Sequence, residues 1–173
     1  MGILGPLVWK RGPNTLGDDH MTPEQKLAGA GLVLPPPHPL VGTFALITRH
    51  ADVLHVSGHG AFADGEPIHR GKLGADLTTA EGKEAARAVM LSLLSTVRDH
   101  LGGLDRVARV LKAVIFVNST PGFTEHHLVA NGATEVLALA FGTERLPART
   151  AIGVSSLPLG FAVEIEATVQ IAD

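Results

Sequence analysis

Arg149, Glu164 and Glu166 are ionisable side chains in a stretch, ARTAIGVSSLPLGFAVEIEA (148–167), otherwise made of residues suited to burial. A guanidinium matches a carboxylate in bidentate fashion, and a carboxylate can orient or deprotonate a water molecule. The trio therefore offers either charges on strand edges facing water or the lining of a pocket that grips an anion. Period-two alternation places Arg149, Ala151, Gly153 and Ser155 on one side of a strand, and Glu164, Glu166 and Thr168 on one side of the next. If the two strands form a hairpin centred on Pro158-Leu159, Gly153 pairs with Glu164, and Arg149 and Glu164 lie about 13 Å apart on one face. A small molecule cannot span that distance, so a ligand touching both would take one of them from an adjacent subunit. An Arg149–Glu166 ion pair within the hairpin also fits this register.

Other chemistry is less well provided for. His55 and His59 are four residues apart on a strand and the loop after it, and no carboxylate is spaced to complete a zinc site with them. Ser57-Gly58 lacks the Gly-x-Ser-x-Gly pattern of a nucleophile elbow. The glycines of 59–77 have no Lys-Ser/Thr ending that would make a phosphate loop. His126-His127 opens a helix and reads as solvated. No metal and no cofactor is called for by these patterns.

The elements that must position the charged residues are legible from capping and periodicity. Thr22-Pro23-Glu24-Gln25 is a capping box with proline at the first helical position, and the helix it starts ends near Gly29 to Gly31. LPPPHP (34–39) is an extended connector. VGTFALITR (41–49) and DVLHVSG (52–58) read as strands joined by a turn at His50-Ala51, and 59–77 reads as a long loop. Thr78-Thr79-Ala80-Glu81 is a second capping box. It opens a helix whose apolar stripe is Ala86, Met90, Leu93, Leu94, Val97 and Leu101, stopped by Gly102-Gly103. RVLKAVIFVNS (109–119) has the apolar, β-branched character of a strand covered on both faces. A further helix runs from about Thr124 to Phe141 with Leu128, Val136, Leu139 and Ala140 on one side; Gly132 inside it points to close approach by another backbone. The order ββ-α-β-α-ββ after the first helix defines an α+β layer with two helices on one face of a sheet.

Composition narrows the partners. The 173 residues suit one domain at 21–173, preceded by an N-terminal extension, 1–20, that reads as an expression scar or an upstream start rather than a secretory signal. Hydrophobic residues make up 45% and charged residues 18%, with a mean hydropathy of +0.24, which leaves little polar material to cover a monomer and favours an oligomer. A net charge of −3 with scattered Lys and Arg argues against nucleic acid. No apolar run approaches the roughly 20 residues of a membrane span. The absence of cysteine excludes thiol chemistry and suits a cytoplasmic setting.

The run Ala148-Arg149-Thr150-Ala151-Ile152-Gly153-Val154, with Leu157-Pro158 and Val163-Glu164-Ile165-Glu166-Ala167, resembles the C-terminal signature of the Rid family, the reactive intermediate (enamine/imine) deaminases also called YjgF-type proteins. Val56-Ser57-Gly58, 71–78 and Val114-Ile115-Phe116-Val117 occupy matching places, and the long 59–77 loop resembles the longer, less characterised branch. The resemblance covers about residues 21–172. It implies a chorismate-mutase-like (ferredoxin-like) α+β fold, a cytoplasmic homotrimer with clefts between subunits, and hydrolysis of small 2-imino or 2-enamino acids to 2-keto acids and ammonia. On that resemblance Arg149 holds the substrate carboxylate, Glu164 positions or activates water, and Ser57, Gly58, Asn131 and Ala151 line the cleft. Phe44 stands where the family has a tyrosine, Ala151 where it often has cysteine, and His59 where it has glutamine, which would bring an ionisable group to the cleft mouth. The missing phenol keeps a second function in view, a non-catalytic binder of carboxylate metabolites. A ribonuclease is the third, disfavoured by charge.

Overall fold

A computed structural model describes residues 21–40 and 42–172; the expected extension 1–20 and Val41, the first residue of the expected first strand, lie outside the described residues. Helix α1 (Pro23–Gly29) starts at the expected capping box, with the Thr22 and Gln25 side chains each bonded to the other's backbone. Helix α2 (Thr79–Leu101) starts at its own box, Thr78 with Glu81, and ends on Gly102 in the left-handed conformation. Every residue of its expected stripe is buried.

Strands β1 (Ile47–His50) and β2 (Val53–His59) form a hairpin turning at Ala51. The next residues, expected as plain loop, contain a two-stranded ribbon of β3 (Phe62–Ala63) and β4 (Glu66–Pro67), closed by Asp64 and Gly65 in the left-handed region. After α2 come β5 (Val107–Asn118), helix α3 (His126–Phe141), β6 (Ala148–Val154) and β7 (Val163–Ile171). The main sheet has the order β1-β2-β7-β5-β6. The α+β expectation holds, with α2 and α3 covering one face of a mixed sheet.

The expected hairpin of the last two strands does not form. β6 lies parallel to β5, while β7 runs antiparallel on the other side of β5, so β5 separates the two. The cause is topological. β5 is apolar over most of its length and has two edges to fill, and helix α3 supplies the crossover that a parallel neighbour requires. The Leu157-Pro158-Leu159-Gly160 segment therefore strides over the end of β5 instead of making a tight turn.

Facing residues follow from the register. Ala113 is level with Arg149 and Ala167, Ile115 with Ala151 and Ile165, and Val117 with Gly153 and Val163; this set faces the helices. Lys112, Val114 and Phe116, with Thr168, Glu166 and Glu164 beside them, face away. The core between sheet and helices is built from Leu54, Ile115, Ile165 and Val169 against Met90, Leu93, Leu94, Val136 and Leu137. On α3 the buried face runs through Val129, Ala133, Val136, Leu137 and Ala140, whereas Leu128 and Leu139, expected on it, remain more than a third exposed. The helix is rotated because its smallest residues face α2.

Gly132 sets that rotation. A Cβ built there would lie 1.9 Å from the Lys83 carbonyl oxygen of α2, so the two backbones touch. Lys83 and Arg87 of α2 also meet Glu135 of α3 at 2.6 and 3.2 Å, exposed pairs worth well under about 1 kcal/mol each. Gly132→Ala gains about 1 kcal/mol of helix propensity but forces the helices apart against a packed core, which typically costs 1–3 kcal/mol. A collision with backbone belongs at the upper end, so the net expectation is a loss of about 2 kcal/mol in urea denaturation. An unchanged or raised midpoint would show that Gly132 does not set the spacing.

Candidate functional site

Arg149 projects from β6 beneath α3. His127, Asn131 and Thr134 are spaced i, i+4, i+7, which puts them on one side of that helix. The guanidinium donates from Nη1 to Asn131 Oδ1 (2.8 Å) and Thr134 Oγ1 (3.1 Å), and from Nη2 to the His127 carbonyl (3.3 Å). Arg149 has only donors, so the Asn131 amide must turn its oxygen toward it. All three acceptors are neutral, and no ion pair among the described residues includes Arg149. Partial burial lowers its pKa from the ordinary value, without approaching neutrality. The result is a fixed, uncompensated cation, half-buried at the edge of the sheet. Ala151 follows it on the same face, half-exposed.

Glu164 belongs to a different cleft. It sits on the open face of the sheet, level with Phe116 of β5, while Arg149 is level with Ala113 on the helix face. The two are separated by two strand spacings and a three-residue offset, about 14 Å in the plane of the sheet, and point to opposite sides. Neither Glu164 nor Glu166 can pair with Arg149 within one chain, which removes the hairpin ion pair from consideration.

A β-bulge prepares the place for Glu164. Between Val56 and His59, β2 carries one residue more than the facing stretch Ala167 to Ile165 of β7, and such bulges re-aim side chains. Gly58 falls in the bulge, and a Cβ there would lie 2.1 Å from Glu164 Oε1, so only glycine lets the carboxylate rest against this backbone. Ser57 donates to the Ala45 carbonyl at 2.7 Å, tying β2 to the segment that carries Phe44. Burial, and secondarily the neighbouring Glu166 charge, pushes the Glu164 pKa up. A carboxylate whose basicity is raised is better suited to take a proton from water. Around it is a cleft of about 470 Å³ lined by Phe44, Ser57, Gly58, Phe62, Phe161 and other side chains.

His59 is not at the mouth of this cleft. The bulge turns it inward, where it is fully buried, with Nδ1 on the Ser57 carbonyl (2.7 Å) and Nε2 on Thr96 Oγ1 (2.9 Å) of α2. The expectation of an ionisable group at the mouth is therefore corrected: burial holds the imidazole pKa down to about 4, and it is neutral at physiological pH. His126 also differs from its solvated expectation, since its Nε2 lies 3.0 Å from Ser119 Oγ and its ring meets Phe123 edge-on. Within one protomer the expected site residues thus divide in two: Arg149, Asn131 and Ala151 on the helix side, and Glu164, Ser57, Gly58 and Phe44 on the open side. Thr134 was not foreseen, although its place one turn beyond Asn131 was a usable signal. Neither were His38 and Phe62, because a connector and a loop have no periodicity to read.

The chain belongs to a known family: the family model described as endoribonuclease L-PSP, which is the YjgF/RidA family, matches residues 38–171. Among curated relatives, protein TCP17 of Trypanosoma cruzi is 49% identical over 119 residues, covering 68% of this chain and 74% of that protein. Among solved structures, protein Atu1372 of Agrobacterium tumefaciens is 34% identical with a TM-score of 0.81, covering 87% of this chain and 92% of its own. A putative endoribonuclease of Shewanella oneidensis is 26% identical with a TM-score of 0.83, covering 87% and 100%. RidA from an Antarctic Psychrobacter is 25% identical with a TM-score of 0.54, covering 78% and 94%. No helix among the described residues is long and apolar enough to cross a membrane.

The depressed pKa of His59 makes a pH prediction. The unfolded chain takes up this proton near the ordinary value of 6.5 and the folded chain only near 4. Acidification in that interval therefore favours unfolding, and the stabilisation present above pH 6.5 is lost as pH falls toward 4. The gap of about 2.5 pKa units corresponds to roughly 3 kcal/mol. Urea denaturation from pH 7 to 4 should show His59→Gln losing less stability than the wild type by about that amount; parallel profiles would contradict a neutral buried imidazole.

Proposed function

We propose that the protein hydrolyses 2-imino or 2-enamino acids to 2-keto acids and ammonia, in clefts where the Arg149 side of one subunit faces the Glu164 side of the next in a homotrimer. The observation that carries this is the guanidinium without a carboxylate partner, presented at the sheet edge away from the one raised-pKa carboxylate of the open face. A cation held only by neutral acceptors keeps its charge available for an anionic ligand. Assembly is favoured by what the described residues leave uncovered: among them β6 ends the sheet with an unpaired edge, Ile152 beside it is 48% exposed, and no helix covers Val114 and Phe116 of the open face.

The chemistry asks little of the protein beyond placement. Arg149 would hold the substrate carboxylate. Glu164 would accept a proton from water as the water oxygen bonds to the imine carbon and return it to the nitrogen; the carbinolamine hydroxyl then gives up its proton, which also goes to the nitrogen, as the carbon–nitrogen bond breaks, so that ammonia leaves a carbonyl behind. A raised Glu164 pKa places its acid limb higher than that of an ordinary glutamate, and Glu166→Gln, which removes a like charge, should move the limb of the pH–rate profile to lower pH. A shift upward, or none, would contradict the coupling.

Phe44 supports a second reading, a carboxylate binder without turnover, since its ring brings no proton donor to the cleft. The ribonuclease reading is opposed by the net charge of −3 and by the engagement of Lys83, Arg87, Arg98 and Arg145 in ion pairs. An imine-hydrolysis assay coupled to an amino-acid oxidase separates the first two. Wild type should accelerate ammonia release, and Arg149→Ala and Arg149→Lys should each lower kcat/KM by about 100-fold, the worth of a buried charge-assisted contact. Full activity in either variant would remove Arg149 from the mechanism, while keto-acid binding without acceleration would favour the binder.

A further inference from the structure

The cleft beside Glu164 is far larger and more apolar than a three-carbon imino acid needs. We infer that it selects a large, uncharged and preferably aromatic side chain on the substrate, an inference that rests on the proposed binding of a 2-imino or 2-keto acid between Arg149 and Glu164.

Phe44 precedes β1, Phe62 lies on the β3–β4 ribbon, and Leu159 and Phe161 come from the connection into β7; three separate segments thus converge on one apolar wall of the cleft. The rings are ordered against one another. Phe62 meets Phe161 at 5.3 Å and 75°, and His38 meets Phe62 at 5.0 Å and 89°. These edge-to-face contacts are the preferred aromatic geometry. Gly60 makes room for Phe161, because a Cβ there would lie 2.3 Å from its ring.

His38 adds an aromatic ring to this wall without adding charge. Its Nε2 accepts from the Gly60 N–H at 3.3 Å, which requires that nitrogen to be unprotonated, and Nδ1 donates to the Pro39 carbonyl at 2.8 Å. Burial favours the same neutral form. Among the described residues of one protomer, Glu164 is then the only charged side chain lining the cleft.

Substrate geometry follows from the trigonal imine carbon. Of its three substituents the carboxylate goes to the arginine and the nitrogen must stay accessible to protons, so the third, the side chain, is directed along the cleft wall. In the single protomer, open on the side that the next subunit would cover, the cleft measures about 470 Å³, a size in the range of drug-sized ligand sites. A methyl group would leave it mostly empty, a benzyl group would meet ring edges and faces, and a second carboxylate would face Glu164 without a counter-ion.

Two measurements on the same protein test this. Imino acids are generated by an amino-acid oxidase from alanine, leucine, phenylalanine and glutamate, and kcat/KM is compared; binding of pyruvate, phenylpyruvate and 2-ketoglutarate is measured by calorimetry. The phenylalanine-derived imine should exceed the alanine-derived one at least about tenfold, with the glutamate-derived one lowest, and phenylpyruvate should bind at least about tenfold more tightly than pyruvate. Phe62→Ala and, on an exposed site that tolerates truncation, Phe44→Ala should each collapse the aromatic-to-small ratio severalfold. Tighter phenylpyruvate binding that Phe62→Ala weakens, with no imine turnover, would uphold the side-chain preference and overturn the hydrolase reading. Imine turnover with equal or better handling of the alanine-derived substrate would do the reverse. Ratios unmoved by both variants, or binding of neither keto acid, would overturn the inference.

Discussion

A positive charge fixed by three neutral oxygens is the constraint on which the rest of this structure turns. Arg149 is oriented by Asn131, Thr134 and the His127 carbonyl, all from α3. Orientation without neutralisation requires the helix to lie close along the strand, since a looser helix would leave the guanidinium to water or to a distant carboxylate. The close approach of α3 to α2 at Gly132 and the parallel docking of β6 on β5 are the two packing facts that hold the helix there.

The opposite face is organised by a different device. β7 lies between β2 and β5, and the extra residue in β2 divides adjacent positions between two environments. Gly58 yields its side-chain volume to Glu164, and His59 goes into the interior to meet Thr96. One protomer thereby carries two unlike half-sites that its own sheet keeps apart. The same sheet gives each half a firm base: a strand under the arginine, and a bulge and a neighbouring strand under the carboxylate.

How much of this the sequence disclosed depended on whether the signal was local. Capping boxes at Thr22 and Thr78, the α2 stripe and the close contact at Gly132 were legible because each follows from a few neighbouring residues. The charged positions stood out because Arg149 and Glu164 are anomalous among apolar neighbours. Pairing of the last two strands was not legible: LPLG has turn chemistry, but whether it closes a hairpin or crosses a strand end is decided by β5, some forty residues upstream. The inward turn of His59 was hidden for a related reason, since period-two alternation fails at a bulge, and Gly58, a residue type that can mark one, stood at the expected end of the strand and read as its stop. Phe62 escaped notice because two-residue strands are too short to show any period.

The station of His59 carries a consequence for how such a molecule can change over time. Its imidazole bolts the bulge to the long helix through Thr96, deep inside, with the His38 ring of the connector packed 4.5 Å from it, whereas Phe62 and Phe161 come from a two-strand ribbon and a crossover that stand outside that anchorage. Descendants could therefore recut the rim to suit new cargo, residue by residue, while the floor beneath kept its shape.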